Sequence, residues 1–309
     1  MTSRLPDHHH DTAALLKANR RGILLMSGGM ALFVINDALV KFVSQSLPVT
    51  QLIFLRGVMA TALVLMVARH MGAFAHLRQA ARPAVVVRAL VDAVASMVYL
   101  VSLAHLPLAN ATAINLASPL FITVLAVLLL GERVSAARWL ATLVGFAGVL
   151  MVIQPRGEGF NGYALLCLCA TVLHAARDLL TRRIAPGISS ILITLSTAIA
   201  VTLMAGVVSL FVGWRPFDAG QICLLALASV FLAAGYYCII SCVRHGELSL
   251  IAPFRYAGLL CALVIGFAVW GDVPNALAWA GIALLVGAGL HMIHGERVRA
   301  RAASDPQRG

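Results

Sequence analysis

The chain alternates long apolar runs with short polar breaks, and the length of the runs decides the element. A helix that crosses a hydrocarbon layer of about 30 Å needs about 20 apolar residues. Ten runs qualify: 22–44, 50–69, 83–104, 108–130, 136–153, 160–181, 188–212, 219–243, 248–270 and 275–294. The breaks carry Pro, Gly and charge, as in Ser46-Leu47-Pro48, His105-Leu106-Pro107 and Gly271 to Pro274. The runs are continuously apolar, which excludes the ten-residue alternation of a membrane β-barrel. The first run is too long for a signal-peptide core, and no convincing cleavage site follows it. The pattern predicts an all-α membrane protein with ten transmembrane helices and no soluble domain between them.

Composition agrees. Apolar residues make up 61% of the 309 residues and charged residues 11%, against roughly 45–50% and 25% in soluble domains. So little charge cannot cover a wet surface, which excludes a soluble enzyme, a DNA-binding domain or a disordered scaffold. The net charge of +11 would suggest nucleic acid in a soluble protein. Here the charges lie between apolar runs and report topology instead. With a cytoplasmic N-terminus, sixteen Lys and Arg fall on inner segments, and two, Arg156 and Arg215, on the outer side. Both termini are therefore expected in the cytoplasm. His8-His9-His10 reads as part of an unstructured tail rather than a metal site. The six Cys lie in apolar runs, where a thiol packs as a small hydrophobe; no disulfide, metal or cofactor is expected.

Sliding the chain by 140 residues aligns uncommon residues. His105 meets His245, Gly131-Glu132 meets Gly271-Asp272, and Trp139 meets Trp279. Gly22, Leu108, Ala117, Leu120 and Leu150 also find their like. One added residue in the first helix pair aligns Asp37 with Asp178 and Lys41 with Arg182. Two halves of five spans each follow, 22–154 and 160–295, between basic tails at 1–21 and 296–309. Five is odd, so the halves must cross the membrane in opposite directions. Such inverted repeats leave a site between two similar bundles.

Ionisable groups inside spans are costly and are functional candidates by default. They are Asp37, Lys41, Arg56, Arg88, Asp92, Arg177, Asp178 and Arg255. Asp37/Lys41, Asp178/Arg182 and Arg88/Asp92 are four residues apart, on one helical face. The first two pairs lie near span ends and read as structural charge pairs. Arg88 and Asp92 continue into a stripe with Ser96, Tyr99 and Ser102, as expected of a cavity wall. Thr112, Asn115, Ser118 and Thr123 form a second stripe, with Pro119 breaking the helix among them. Arg56 and Arg255 have no charged neighbour on their own helices. Each needs a partner helix, a cavity or an anionic substrate. Either could pair with Asp92 or Asp178. Pro253 interrupts the ninth span just before Arg255 and Tyr256, and Tyr236 and Tyr237 can stack on a ligand. Arg56, Arg88, Tyr99, Asn115, Tyr236, Arg255 and Tyr256 are the substrate-binding candidates, and Asp92 is the candidate for proton coupling. Gly145, Gly148, Gly281, Gly287 and Gly289 allow close helix approach, either within the chain or in a homodimer.

Searches for GxSxG, HExxH, CxxC, P-loop and GxGxxG patterns find nothing. That argues against a membrane enzyme and against ATP-driven transport. The chain resembles the drug/metabolite transporter superfamily, in particular its EamA-type members. The resemblance rests on Asn110, Asn115, Ser118-Pro119 and Gly131-Glu132, then Gly145 and Gly148, and spans about residues 20–295. Gly271-Asp272 departs from the usual Gly-Glu of the second half. Asp37 to Lys41, Gln51, Phe54 and Arg56, and Ala252 to Tyr256 resemble the branch with S-adenosylmethionine and riboflavin transporters. The resemblance implies a secondary transporter of a small organic metabolite in a bacterial inner membrane, working by alternating access on a nucleoside-like or heteroaromatic solute. Amino-acid and drug exporters of the superfamily remain alternatives, as does a non-transporting receptor or assembly subunit. The expected partners are a small molecule and the bilayer, not nucleic acid.

Overall fold

In the computed structural model, residues 8–304 are described except 132–133, 155–160, 186 and 246–251. The described residues are helical apart from turns and connections. The α-helices are α1 (His8–Val43), α2 (Val49–His70), α3 (Pro83–His105), α4 (Leu108–Asn115), α5 (Ser118–Leu130), α6 (Ala136–Ile153), α7 (Tyr163–Arg182), α8 (Ser190–Val212), α9 (Ala219–His245), α10 (Ala257–Trp270) and α11 (Ala276–Ser304). Short 3-10 segments at Ala73–Ala81 and Ala252–Tyr256 precede α3 and α10. Among the described residues, eight stretches are long and apolar enough to cross a membrane, with α4 and α5 forming one of them. Phe254–Trp270 and Ala276–Met292 are apolar but shorter.

The boundaries have local causes. Pro48 and Pro107 cap α2 and α4, and Pro83 opens α3, positions where a missing N–H costs nothing. Pro119 stands in the first turn of α5; the ladder breaks just ahead of it, at Leu116 and Ala117, and splits the fourth span. Gly131 and Gly271 end α5 and α10 in the left-handed conformation, at φ 65° and 70°. Their N–H groups close the same turn, onto the carbonyls of Val127 and Phe267. No Gly or Pro separates His8 from Arg21, and the helical backbone accordingly begins at His8 rather than at the apolar span. The expected unstructured tail is thus corrected for the backbone from His8 onward.

The strongest packing runs between the two halves of the chain. The first helix of each half lies on the third of the other (α1 on α9, α7 on α3), and second lies on second (α2 on α8). The last helices, α6 and α11, pack together, and α4 meets α10. This set of pairings maps onto itself when the halves are exchanged. The interior is filled by Leu52, Ile53, Leu103, Ile114, Leu195 and Leu225, all essentially inaccessible. Leu203, Leu210, Phe211 and Val264 point outward and are largely exposed. A surface this apolar belongs in lipid. Gly148 and Gly281 meet at the α6–α11 contact: a β-carbon on either would lie 2.6 Å from the other's carbonyl oxygen.

Candidate functional site

The second and third helices of each half enclose a cavity of about 130 Å³. Each wall is one helical face. Arg56, Ala60 and Val64 recur every four residues on α2, as do Arg88, Asp92 and Ser96 on α3. Thr194, Thr197, Ala198 and Val201 line it from α8, and Leu232, Ala233 and Tyr236 from α9. The lining residues occupy the parts of α2 and α8 away from the Gln51/Arg215 contact described below.

Four alternating charges cross from α3 to α7. Arg88 pairs with Asp92 at 3.2 Å. Asp92 also binds Arg177 at 2.8 Å, and Arg177 binds Asp178 at 2.9 Å. The side chain of Asp92 is only 3% exposed, so two guanidinium groups supply what water would otherwise give it. Arg88 additionally donates through Nε to Thr181 Oγ1 at 3.1 Å and through Nη1 to Thr197 Oγ1. It thereby bridges α3, α7 and α8.

Arg56 is held differently. It is 7% exposed and donates through Nη1 to Asn36 Oδ1 at 2.9 Å. Among the described residues its Nε has no hydrogen-bond partner, and no carboxylate lies within ion-pair distance. Asn36 in turn donates to Asp37 Oδ1 at 2.9 Å, and the hydroxyl of Tyr99 donates to Asp37 Oδ2 at 2.9 Å. The expected Asp37/Lys41 pair is therefore corrected. Lys41 reaches instead to the last carbonyls of α3 and its cap, donating to Leu103 and Leu106 at 3.3 and 2.6 Å. There the negative end of a helix dipole favours a cation. Its ammonium also lies 5.3 Å from the Trp270 ring centre. In the other expected structural pair, Asp178 takes Arg177 as partner, and the side chain of Arg182 lies outside the described residues.

Of the residues singled out from sequence, Arg56, Arg88, Asp92 and Tyr236 come together around the cavity. Tyr236 packs edge-on against Phe33, with ring centres 5.1 Å apart. Tyr99 and Asn115 stand behind this wall, not on it. Asn115 Oδ1 lies 3.0 Å from His174 Nδ1, whose ring is 5.9 Å from that of Tyr99. Arg255 is exposed, and the Tyr256 hydroxyl lodges against Gly289, leaving no room for a β-carbon there. Neither lines the cavity. Asn36, His174, Thr181, Thr194 and Thr197 were not singled out. On α7 the signal was present as His174, Arg177, Asp178 and Thr181, which share one face.

At the opposite ends of these helices the two halves are tied together. Gln51 donates to the Arg215 carbonyl and accepts from the Arg215 N–H, both at 2.9 Å. Gln221 donates to Ser46 Oγ at 2.9 Å, and Phe54 meets Trp214 edge-on at 5.8 Å. A crevice of about 550 Å³ lies among the loop residues at this end, including Ser44, His105 and Trp214. It is larger than the inner cavity but contains no clustered charges.

Comparisons with known proteins fit this architecture. The EamA-like transporter family matches twice, over residues 20–154 and 161–293. The pseudopaline exporter of Pseudomonas aeruginosa is 30% identical over 278 residues, covering 86% of this chain and 94% of that one. The riboflavin transporter of Rhizobium johnstonii is 30% identical over 203 residues, 66% of this chain and 67% of that one. The S-adenosylmethionine uptake transporter of Rickettsia prowazekii is 26% identical over 286 residues, 91% of this chain and 95% of that one. A solved crystal structure superposes with TM-score 0.61 at 19% identity, over 93% of this chain and all of the other, and supports the fold alone. With both halves matching one family pattern, and relatives named as transporters aligning across most of the chain, the protein belongs to the EamA-like transporter family and is a multi-pass membrane transporter.

Proposed function

We propose that the protein is a secondary transporter that moves a small organic metabolite across a bacterial inner membrane by alternating access. It has ten spans in two inverted halves of five and keeps both termini in the cytoplasm. The double family match and the paired left-handed glycines 140 residues apart support the repeat. The exchange symmetry of the helix contacts supports an axis between the halves. The excess of Lys and Arg on one side supports the orientation. In this orientation the Gln51/Arg215 tie closes the outer side, and the cavity lies toward the inner side.

One observation carries the reading: equivalent helices of the two halves enclose a cavity with buried charge at its wall. A site shared by two rocking bodies is what alternating access requires. Arg56, Arg88 and Tyr236 meet the substrate. Tyr99 and Asn115 hold the helices behind them, and Arg255 and Tyr256, which lie off the cavity, are given no substrate contact. Coupling through Asp92 has to break one of its two ion pairs. At about 130 Å³ the cavity is smaller than the 300–1,000 Å³ typical of ligand sites, so it admits the head of a substrate and must widen for the whole. Relatives named for riboflavin, S-adenosylmethionine and pseudopaline favour a heteroaromatic or nucleoside-like solute or a metabolite of similar size. The test is counterflow in proteoliposomes over a metabolite panel that includes riboflavin and S-adenosylmethionine. Accumulation of at least one solute is expected; no flux of any solute from correctly folded protein favours a receptor or assembly subunit.

A further inference from the structure

Arg56 sets apart one side of the cavity. Its guanidinium is more than nine-tenths buried, yet it is held by a single neutral side chain, the amide of Asn36. Among the described residues its Nε–H finds no acceptor. A buried cation with an unused donor is costly, and fold stability gives no reason to keep one. The same helical face carries only Ala60 and Val64 beyond it. Asp92 is paired with Arg88 and Arg177, and Asp37, whose oxygens accept from Tyr99 and Asn36, faces Arg56 at one remove through the Asn36 amide. Arg56 therefore has its counter-charge at one remove, and its Nε–H is the unused donor of the cavity wall.

From this unused donor we infer that the site selects substrates bearing a single carboxylate, which docks on Arg56 as the cavity widens to admit it. The inference rests on the cavity being the transporter's substrate site. One carboxylate supplies the acceptor that Arg56 lacks, whereas a dianionic phosphate brings a second negative charge toward Asp92 and an organic cation supplies no acceptor and meets two guanidinium groups. The carboxylate accepts from the Arg56 Nε–H, a charge-assisted bond with directional donors that an ammonium does not reproduce. The hydroxyls of Ser96, Thr194 and Tyr236 surround the remaining space for the polar part of the solute. Ala60, Val64 and Val201 offer an apolar wall for its carbon body.

The test uses the purified full-length chain in detergent and reads its melting temperature with matched probes. These are benzoate, benzamide, benzyltrimethylammonium and phenyl phosphate, and the pair nicotinate and nicotinamide. The expected result is stabilisation by the carboxylates, with the amides and the cation weaker by about tenfold or more in apparent affinity, the scale of a charge-assisted hydrogen bond. Arg56→Gln is expected to abolish the preference, and Arg56→Lys to retain only part of it. In the wild-type protein, modification of Arg56 by phenylglyoxal, read by peptide mass spectrometry, should slow with benzoate and not with benzamide; this arm needs no folded variant. The proposal is overturned if no carboxylate binds, if phenyl phosphate or the cation binds in preference, or if Arg56 is not protected. Binding of carboxylates without flux in proteoliposomes would keep this inference and remove the transport reading; flux of cations alone would do the reverse.

Discussion

The α6–α11 contact yields a prediction whose magnitude follows from geometry. A β-carbon placed on Gly148 lies 2.6 Å from the Gly281 carbonyl oxygen and 2.9 Å from the Leu285 nitrogen. Both are backbone atoms of a continuous helix, so no side chain can turn aside. Ordinary contact begins near 3.4 Å, and Gly148→Ala must push the helices apart by roughly the difference. Overpacking of this kind costs about 1–3 kcal/mol. Alanine also gains up to about 1 kcal/mol over glycine in helix propensity, which would mask part of the cost. Gly287 supplies the control: it is on the same helix as Gly281, and a β-carbon there meets nothing within 4 Å. Gly287→Ala should therefore show the propensity gain alone. Thermal unfolding in detergent should place Gly148→Ala about 1–3 kcal/mol below Gly287→Ala. Gly281→Ala should behave like Gly148→Ala, and the double should cost less than the sum, because one separation relieves both clashes. If Gly148→Ala melts with Gly287→Ala, the backbone contact does not exist and the packing of the two halves at this seam is wrong.

Other outcomes follow from the charge chain, the caps and the topology. Asp92→Ala strips Arg88 of its carboxylate and should cost about 3–5 kcal/mol. Arg88→Ala leaves Asp92 with Arg177 and should cost less, and the double should melt above Asp92→Ala; a double that melts no higher than Asp92→Ala would refute the pairing. Gly131→Ala and Gly271→Ala each force a β-carbon into the left-handed region and should lower stability by about 1–2 kcal/mol. Their costs should add in melting curves of the double variant, since nothing surrounds either site; no loss from either would exclude the left-handed caps. Reporter fusions at Gly309 and within residues 154–159 should report opposite sides of the membrane, and the same side for both would exclude the ten-span topology.

Run length alone placed nearly every helix, because a membrane helix is specified by about 20 consecutive apolar residues and little else. The split of the fourth span was legible in Pro119, and the left-handed ends in Gly131 and Gly271. Partner choice was not legible. Spacing suggested Asp37 for Lys41, yet a four-carbon stem near a span end also reaches the carbonyls that close a neighbouring helix. Only the fold brings Leu103 and Leu106 there. Arg177 looked like one charge among many until α7 set it between Asp92 and Asp178. For the cavity, sequence identified the face of α3, Arg56 on α2 and Tyr236 on α9, but nothing on α8, where Thr194 and Thr197 sit in a run apolar enough to hide them. The Asn36 amide was missed because an uncharged residue beside Asp37 gives no signal of its own. Its role appears only when Arg56 arrives from α2.

Alternating access requires the outer tie between the halves to open during each cycle. Ser46 and Gln221 face each other across it, with Gln221 Nε2 2.9 Å from Ser46 Oγ. In a background free of the native cysteines, Ser46→Cys with Gln221→Cys can be bridged by a short, cleavable thiol cross-linker. The measurement is solute counterflow in proteoliposomes before bridging, after bridging and after cleavage. Flux should stop when the link forms and return when it is cut, while either single cysteine variant stays active. Undiminished flux through fully bridged protein would contradict a transporter that works by opening and closing between its two halves.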